Sequence, residues 1–318
     1  MGCGRTRKLL VSDSARVIAA LGFEAEIGCL REEIARWIAG ADEEIRSALE
    51  WQFQGGSKYF RPLTVWSCYR AIYRGRIPPG LIRSAAVLEM FHNVSLIIDD
   101  ILDRSRFRRG VLTLHAKLGM LPALMASGYI VADGYQMVGN DPHDIGLFSE
   151  LLKRLGLAEC MQWRLRRQPL GVEDWRRIAT EDTGTMFEVC ACLGTRTEEL
   201  RHFGRLLGVL YHGCDDVGDV RGAEALGGGG EEDLRDGILT LPAAFAIRDP
   251  CIATVFTRPD PGAEDLKILS EAFRAKLLEA ERYLDGVAEE ARREADLLAA
   301  RPEPLLVLVD LTRQLSRR

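Results

Sequence analysis

From Ala25 to Phe53 the apolar residues Ile27, Leu30, Ile34, Trp37, Ile45 and Leu49 recur every three or four positions among acids and arginines. That period predicts amphipathic helices. It returns in almost every later segment, while alternating strand patterns with turn pairs are absent and β-branched runs are short. The expected fold is therefore all-α, a helical bundle broken near Gly55–Ser57, Pro78–Gly80, Asn140–Gly146, Gly171, Gly227–Gly230 and Pro259–Gly262. Length alone suggests about two domains. No linker-like stretch separates two apolar-periodic halves, so one helical domain over residues 1–318 is expected, with residues 1–20 as a flexible N-terminal segment.

Composition narrows the function. With 47% hydrophobic and 28% charged residues the chain can bury a large core. A formal net charge of −5 argues against a nucleic-acid partner, which needs a basic surface. The eight cysteines, at positions 3, 29, 68, 160, 190, 192, 214 and 251, lack paired spacing and read as reduced thiols. The best apolar run, from Leu121, is interrupted by Asp133, short of the roughly 18 residues a span needs. The expectation is a cytoplasmic protein without stable membrane insertion. The opening residues MGCGRT fit a lipidation pattern at Gly2 and Cys3, but so short a motif carries little weight against chance.

One internal echo carries chemistry. LIIDDILD and HGCDDVGD each place three aspartates at the end of an apolar helical stretch. On a helix Asp99 and Asp103 lie one turn apart on one face with Asp100 beside them, and Asp215, Asp216 and Asp219 repeat the pattern. Such like charges repel unless cations fill the cluster, and hard carboxylate oxygens suit Mg²⁺. A single DDxxD is weak evidence, because it also fits a solvated acidic face; two copies in apolar surroundings are much stronger. Nearby, RFRRG offers Arg108 and Arg109 as guanidinium forks for diphosphate oxygens. GSKYFRP offers Lys58 and Arg61, and His92 lies two turns before Asp99 on the same face. Taken alone, His92 reads as a hydrogen-bonded core residue.

In this order the motifs resemble the polyprenyl synthetase family of trans-isoprenyl diphosphate synthases. The resemblance runs from about Gly56 to Pro242. GSKYFRP is similar to the family's GGKRxRP, FHNVSLIIDDILDRSRFRRG to its first aspartate motif with the following RRG, and HGCDDVGD to its second. DTGTMFE and EEDLRDGILTLP are similar to two further family segments. The resemblance implies an antiparallel helical bundle around a deep central cavity, usually a homodimer, with three Mg²⁺ held by Asp99, Asp100, Asp103, Asp215, Asp216 and Asp219. Arg108 would join the metals in drawing the allylic diphosphate away. Lys58, Arg61, His92 and Arg109 would hold isopentenyl diphosphate, and Thr183 would line the allylic site.

The chain departs from the family pattern at identifiable places. Asp182 stands where the family has Lys before Thr-Gly, and Ile238 where it has Lys before the TLP segment; Tyr59 replaces a common Arg, and Tyr211-His212 replaces Phe-Gln. Arg221, Arg317 and Arg318 are candidates to replace the lost cations. The main reading is a chain elongator making geranylgeranyl diphosphate, because Val94 and Ser95 below the first motif are not aromatic. Phe91 and Leu88 would form a floor, unless Phe91 packs against a neighbouring helix and residues 125–129 set the depth. A terpene cyclase of the same build and a non-catalytic partner subunit are the alternatives.

Overall fold

The protein is described by a computed structural model over residues 15–54, 57–108, 110–222 and 230–317. The lipidation pattern lies outside these residues. Helix α1 already covers residues 15–21, with Val17, Ile18 and Leu21 buried. The flexible segment expected up to residue 20 is thus corrected at its end, because those three side chains have a core to enter.

The chain is all-α. The periodic segments become α2 (Glu24–Gly40), α3 (Glu43–Phe53), α4 (Phe60–Ile72), α5 (Pro79–Leu102), α6 (Leu114–Leu118), α7 (Met120–Val138), α8 (Pro142–Leu165), α9 (Val172–Ala179), α10 (Thr185–Thr195) and α11 (Arg201–Arg221). There follow α12 (Gly230–Asp236), α13 (Leu241–Ala246), α14 (Pro250–Phe256), α15 (Ala263–Ala275), α16 (Leu277–Leu298) and α17 (Glu303–Arg313). A π turn, Thr180–Gly184, joins α9 to α10, and Leu315–Arg317 form a 3₁₀ turn. Among the described residues the only strands are a two-residue ribbon pairing Phe107 with Leu112 and Arg108 with Val111. The helices group into two compact units.

The first unit comprises the residues up to Leu152 together with Cys190–Glu199. Its centre is α5, which packs on α2, α4 and α7. Pro79 opens this helix, where a missing N–H costs nothing. By length and composition α5 could cross a membrane, but most of its apolar window is enclosed by protein. Asp133, the residue that breaks the apolar run of α7, accepts a hydrogen bond from Trp37 Nε1 at 2.8 Å. A carboxylate inside an apolar helix is tolerable with such a partner.

The second unit comprises Lys153–Val189 and Leu200–Arg318. Here α11 packs on α16, α17 and the π turn. Glu188 is fully buried and bonded by Arg154 (2.8 Å), Arg201 (3.1 Å) and Arg205 (2.6 Å). Burying that charge unpaired would be strongly unfavourable. The seven described cysteines are all free thiols.

Candidate active site

In the first unit the acidic motif closes α5, with Asp103 as its C-terminal cap residue. Asp99 and Asp103 are half-buried, whereas Asp100 is 3% exposed. Asp100 Oδ1 accepts a hydrogen bond from Arg108 Nε at 2.7 Å, as the ribbon folds Arg108 back onto the helix end. Burial raises the Asp100 carboxyl above its usual range and the Arg108 guanidinium opposes that rise. Asp100 therefore anchors the arginine, while Asp99 and Asp103 occupy the face one turn apart.

Of the proposed homoallylic groups, Lys58 lies in the turn before α4, Arg61 in the first turn of α4 and His92 on α5. Tyr59 adopts a left-handed conformation (φ 56°), held by its N–H on Ser57 Oγ at 3.1 Å, and Ser57 donates to Glu89 at 2.9 Å. Tyr59, which replaces the family arginine, meets another arginine: Arg31 Nε donates to its hydroxyl at 3.2 Å, and the guanidinium lies 5.0 Å from the ring centroid. His92 is buried and lines a cleft of about 390 Å³ with Ser57, Tyr59, Asn93 and Leu96. Lys58 and Arg61 are half-buried nearby in sequence but do not line that cleft. Arg109 lies outside the described residues. Ser95 is half-buried with its hydroxyl on His92 O at 2.9 Å, and Phe91 is fully buried.

In the second unit the same division of labour recurs on α11. Asp216 is buried, and its Oδ2 accepts from Trp175 Nε1 at 2.7 Å and from the Leu241 N–H at 2.8 Å. Burial pushes its carboxyl upward, against His212 and those two donors. Asp215 and Asp219 are half-buried on the neighbouring face. Trp175 was legible in the sequence only as a core position of an amphipathic helix. The Leu241 N–H explains why the TLP segment matters: Thr240 caps α13 and thereby aims that N–H at Asp216.

Two of the altered positions, Asp182 and His212, meet here. A Cβ on Gly208 would stand 2.7 Å from Gly184 Cα and from Thr183 O, so only glycine lets α11 close on the π turn. This contact sets His212 beside the DTG segment: its Nδ1 lies 2.9 Å from Thr183 Oγ1 and 3.4 Å from Asp182 Oδ2, and its Nε2 lies 3.8 Å from Asp216 Oδ1. Burial disfavours the imidazolium, but Asp216 and Asp182 outweigh it and raise the His212 pKa to about 9. Arg221 is already committed, to Glu281 at 2.6 Å and to the Ser316 carbonyl. It is thus not the spare cation considered for the lost lysines. The Arg317 side chain and Arg318 lie outside what is described.

The donor sets fit magnesium: in each motif two carboxylates share a helical face and a third is fixed by protein donors, leaving an all-oxygen site of the kind Mg²⁺ prefers. A different cluster does not. Asp141, His143 and Asp144 bring ligand atoms within 4.8 Å of one another, but Arg196 pairs with both carboxylates, at 3.0 and 3.1 Å.

Residues 42–265 match the family described as Polyprenyl synthetase. Nonaprenyl diphosphate synthase of Mycobacterium tuberculosis is 25% identical over 94% of this chain and 95% of its own. Geranylgeranyl diphosphate synthase of Methanosarcina mazei is 26% identical over 86% and 90%. The crystal structure of a polyprenyl synthase from Caulobacter crescentus CB15, complexed with calcium and isoprenyl diphosphate, superposes with a TM-score of 0.85 at 23% identity, covering 96% of this chain and 98% of that one. The match spans both aspartate motifs and the segments that position them, and on that ground the chain belongs to the polyprenyl synthetase family of trans-prenyltransferases.

Proposed function

We propose that this enzyme condenses isopentenyl diphosphate with short allylic diphosphates and releases mainly geranylgeranyl diphosphate. The observation that carries the reading is the repeated arrangement of the two motifs, in which the middle aspartate is bonded by protein donors and the outer two lie together. Asp99, Asp103, Asp215 and Asp219 would hold Mg²⁺, which neutralises a leaving diphosphate when bound. Arg108, fixed by Asp100, adds a fork for the same oxygens. Lys58, Arg61, His92 and Arg109 would hold isopentenyl diphosphate. Diphosphate leaves the allylic carbon, the isopentenyl alkene attacks there, and loss of a proton restores the double bond. A water-poor site would protect the cationic stage.

Twenty carbons are supported by the α5 face below the metal ligands. Ser95 and Val94 are small, and Leu88 lies about 16 Å below Asp99 by the helical rise. Incubation with Mg²⁺ and an allylic diphosphate, with and without isopentenyl diphosphate, tests the whole reading. Elongated alcohols after dephosphorylation support it; hydrocarbon formed without isopentenyl diphosphate identifies a cyclase instead.

We further propose a homodimer formed through α7. Met120, Leu121 and Met125 are 57%, 68% and 58% exposed on one stretch of that helix, a concentration of apolar surface that water disfavours.

A further inference from the structure

Gly134 lies inside α7 with an ordinary helical φ, since it is absent from the glycines of positive φ. The backbone therefore does not require glycine there, and glycine is the poorer helix former. What requires it is Phe91. A Cβ on Gly134 would stand 2.4 Å from Phe91 Cε1 and 2.9 Å from Cζ, closer than carbon atoms can pack. The ring is received in a slot whose other walls are Phe148, edge-on at 5.2 Å, and Tyr135 at 5.4 Å. Those walls do not yield readily: Phe148 is fully buried, and the Tyr135 hydroxyl is tied to Ser149 Oγ at 3.0 Å.

Phe91 is one turn below Ser95 and two turns below Asp99 on α5. If the growing prenyl chain runs down that face, as the proposed function has it, the position of this ring decides whether the path ends near 12 Å or continues. We propose that Gly134 is a chain-length determinant of this enzyme: by receiving the Phe91 ring in α7 it keeps that ring out of the path of the growing chain. A methyl at position 134 expels the ring toward α5 and closes the path one five-carbon unit early. Product specificity is then set from α7 as well as from α5.

The test compares wild type, Gly134→Ala, Phe91→Ala and the double variant, each supplied with dimethylallyl and isopentenyl diphosphates, with products dephosphorylated and separated by length. Gly134→Ala shortens the main product from twenty to fifteen carbons, Phe91→Ala alone does not shorten it, and the double variant returns to the wild-type length. This suppression distinguishes a displaced ring from general loss of structure, which a second truncation would worsen. Unchanged length in Gly134→Ala, or persistence of the short product in the double variant, overturns the inference while leaving the elongation reading intact. Absence of any elongated product in the wild type overturns the elongation reading and this inference with it. Should Gly134→Ala lose its melting transition, Phe91→Trp fills the same slot from the other side and must shorten the product; unchanged length there is equally fatal.

Discussion

Asp182 Oδ2 lies 3.4 Å from His212 Nδ1, so a carboxylate at the family's lysine position faces an imidazole at its glutamine position. The two departures from the family pattern form one local arrangement. The positive charge has moved from the π turn to α11, and a new negative charge offsets it.

This pairing has a pH signature in metal-free protein. The folded pKa of His212 is raised from 6.5 to about 9. A raised histidine pKa stabilises the fold fully below the unfolded value and loses that contribution as pH rises through the folded value. The melting temperature in the absence of Mg²⁺ should therefore fall between pH 6.5 and 9. In His212→Gln this part of the fall should vanish; an identical pH profile in the variant contradicts the assignment.

Restoring the lysine alone should not restore the site. Asp182→Lys would place an ammonium beside His212, and like charges there repel. Asp182→Lys with His212→Gln recreates the family pair. It should tighten binding of a short allylic diphosphate by roughly tenfold or more, as expected of one charge-assisted contact. A single substitution that gains as much as the double would show that the imidazole does not oppose the lysine.

Asp99→Ala and Asp215→Ala should each lower turnover by about a hundredfold or more. Removing one of several clustered like charges does not weaken a core, so melting temperatures should not fall. Near-normal turnover in either variant removes that residue from the set of metal ligands.

Ser95→Phe introduces a ring one turn below Asp99, where a half-buried hydroxyl now stands. Products of fifteen carbons or fewer should dominate. If chromatography shows the same distribution as the wild type, the chain does not run along this face.

Leu121→Glu places a charge in the most exposed apolar stretch of α7. Gel filtration should shift from dimer to monomer, since an interface cannot readily bury an unpaired carboxylate. A wild-type protein that elutes as a monomer would dispose of this surface as a dimer interface.

By itself the sequence determined the helical class, most helix breaks and the two aspartate motifs, because helical periodicity and i, i+4 spacing are local properties. It also exposed the missing lysines at Asp182 and Ile238. It could not show that Trp175 and the Leu241 N–H fix Asp216, since those donors are 41 and 25 residues away and meet it only through packing. Nor could it reveal that Arg221 is committed to Glu281. Two arrangements of Phe91 were compatible with its position on α5, and tertiary structure decided for the packed one: a glycine on another helix left space for the ring. Local pattern tells which face a residue occupies, whereas the partner it meets there depends on which distant segment packs against that face.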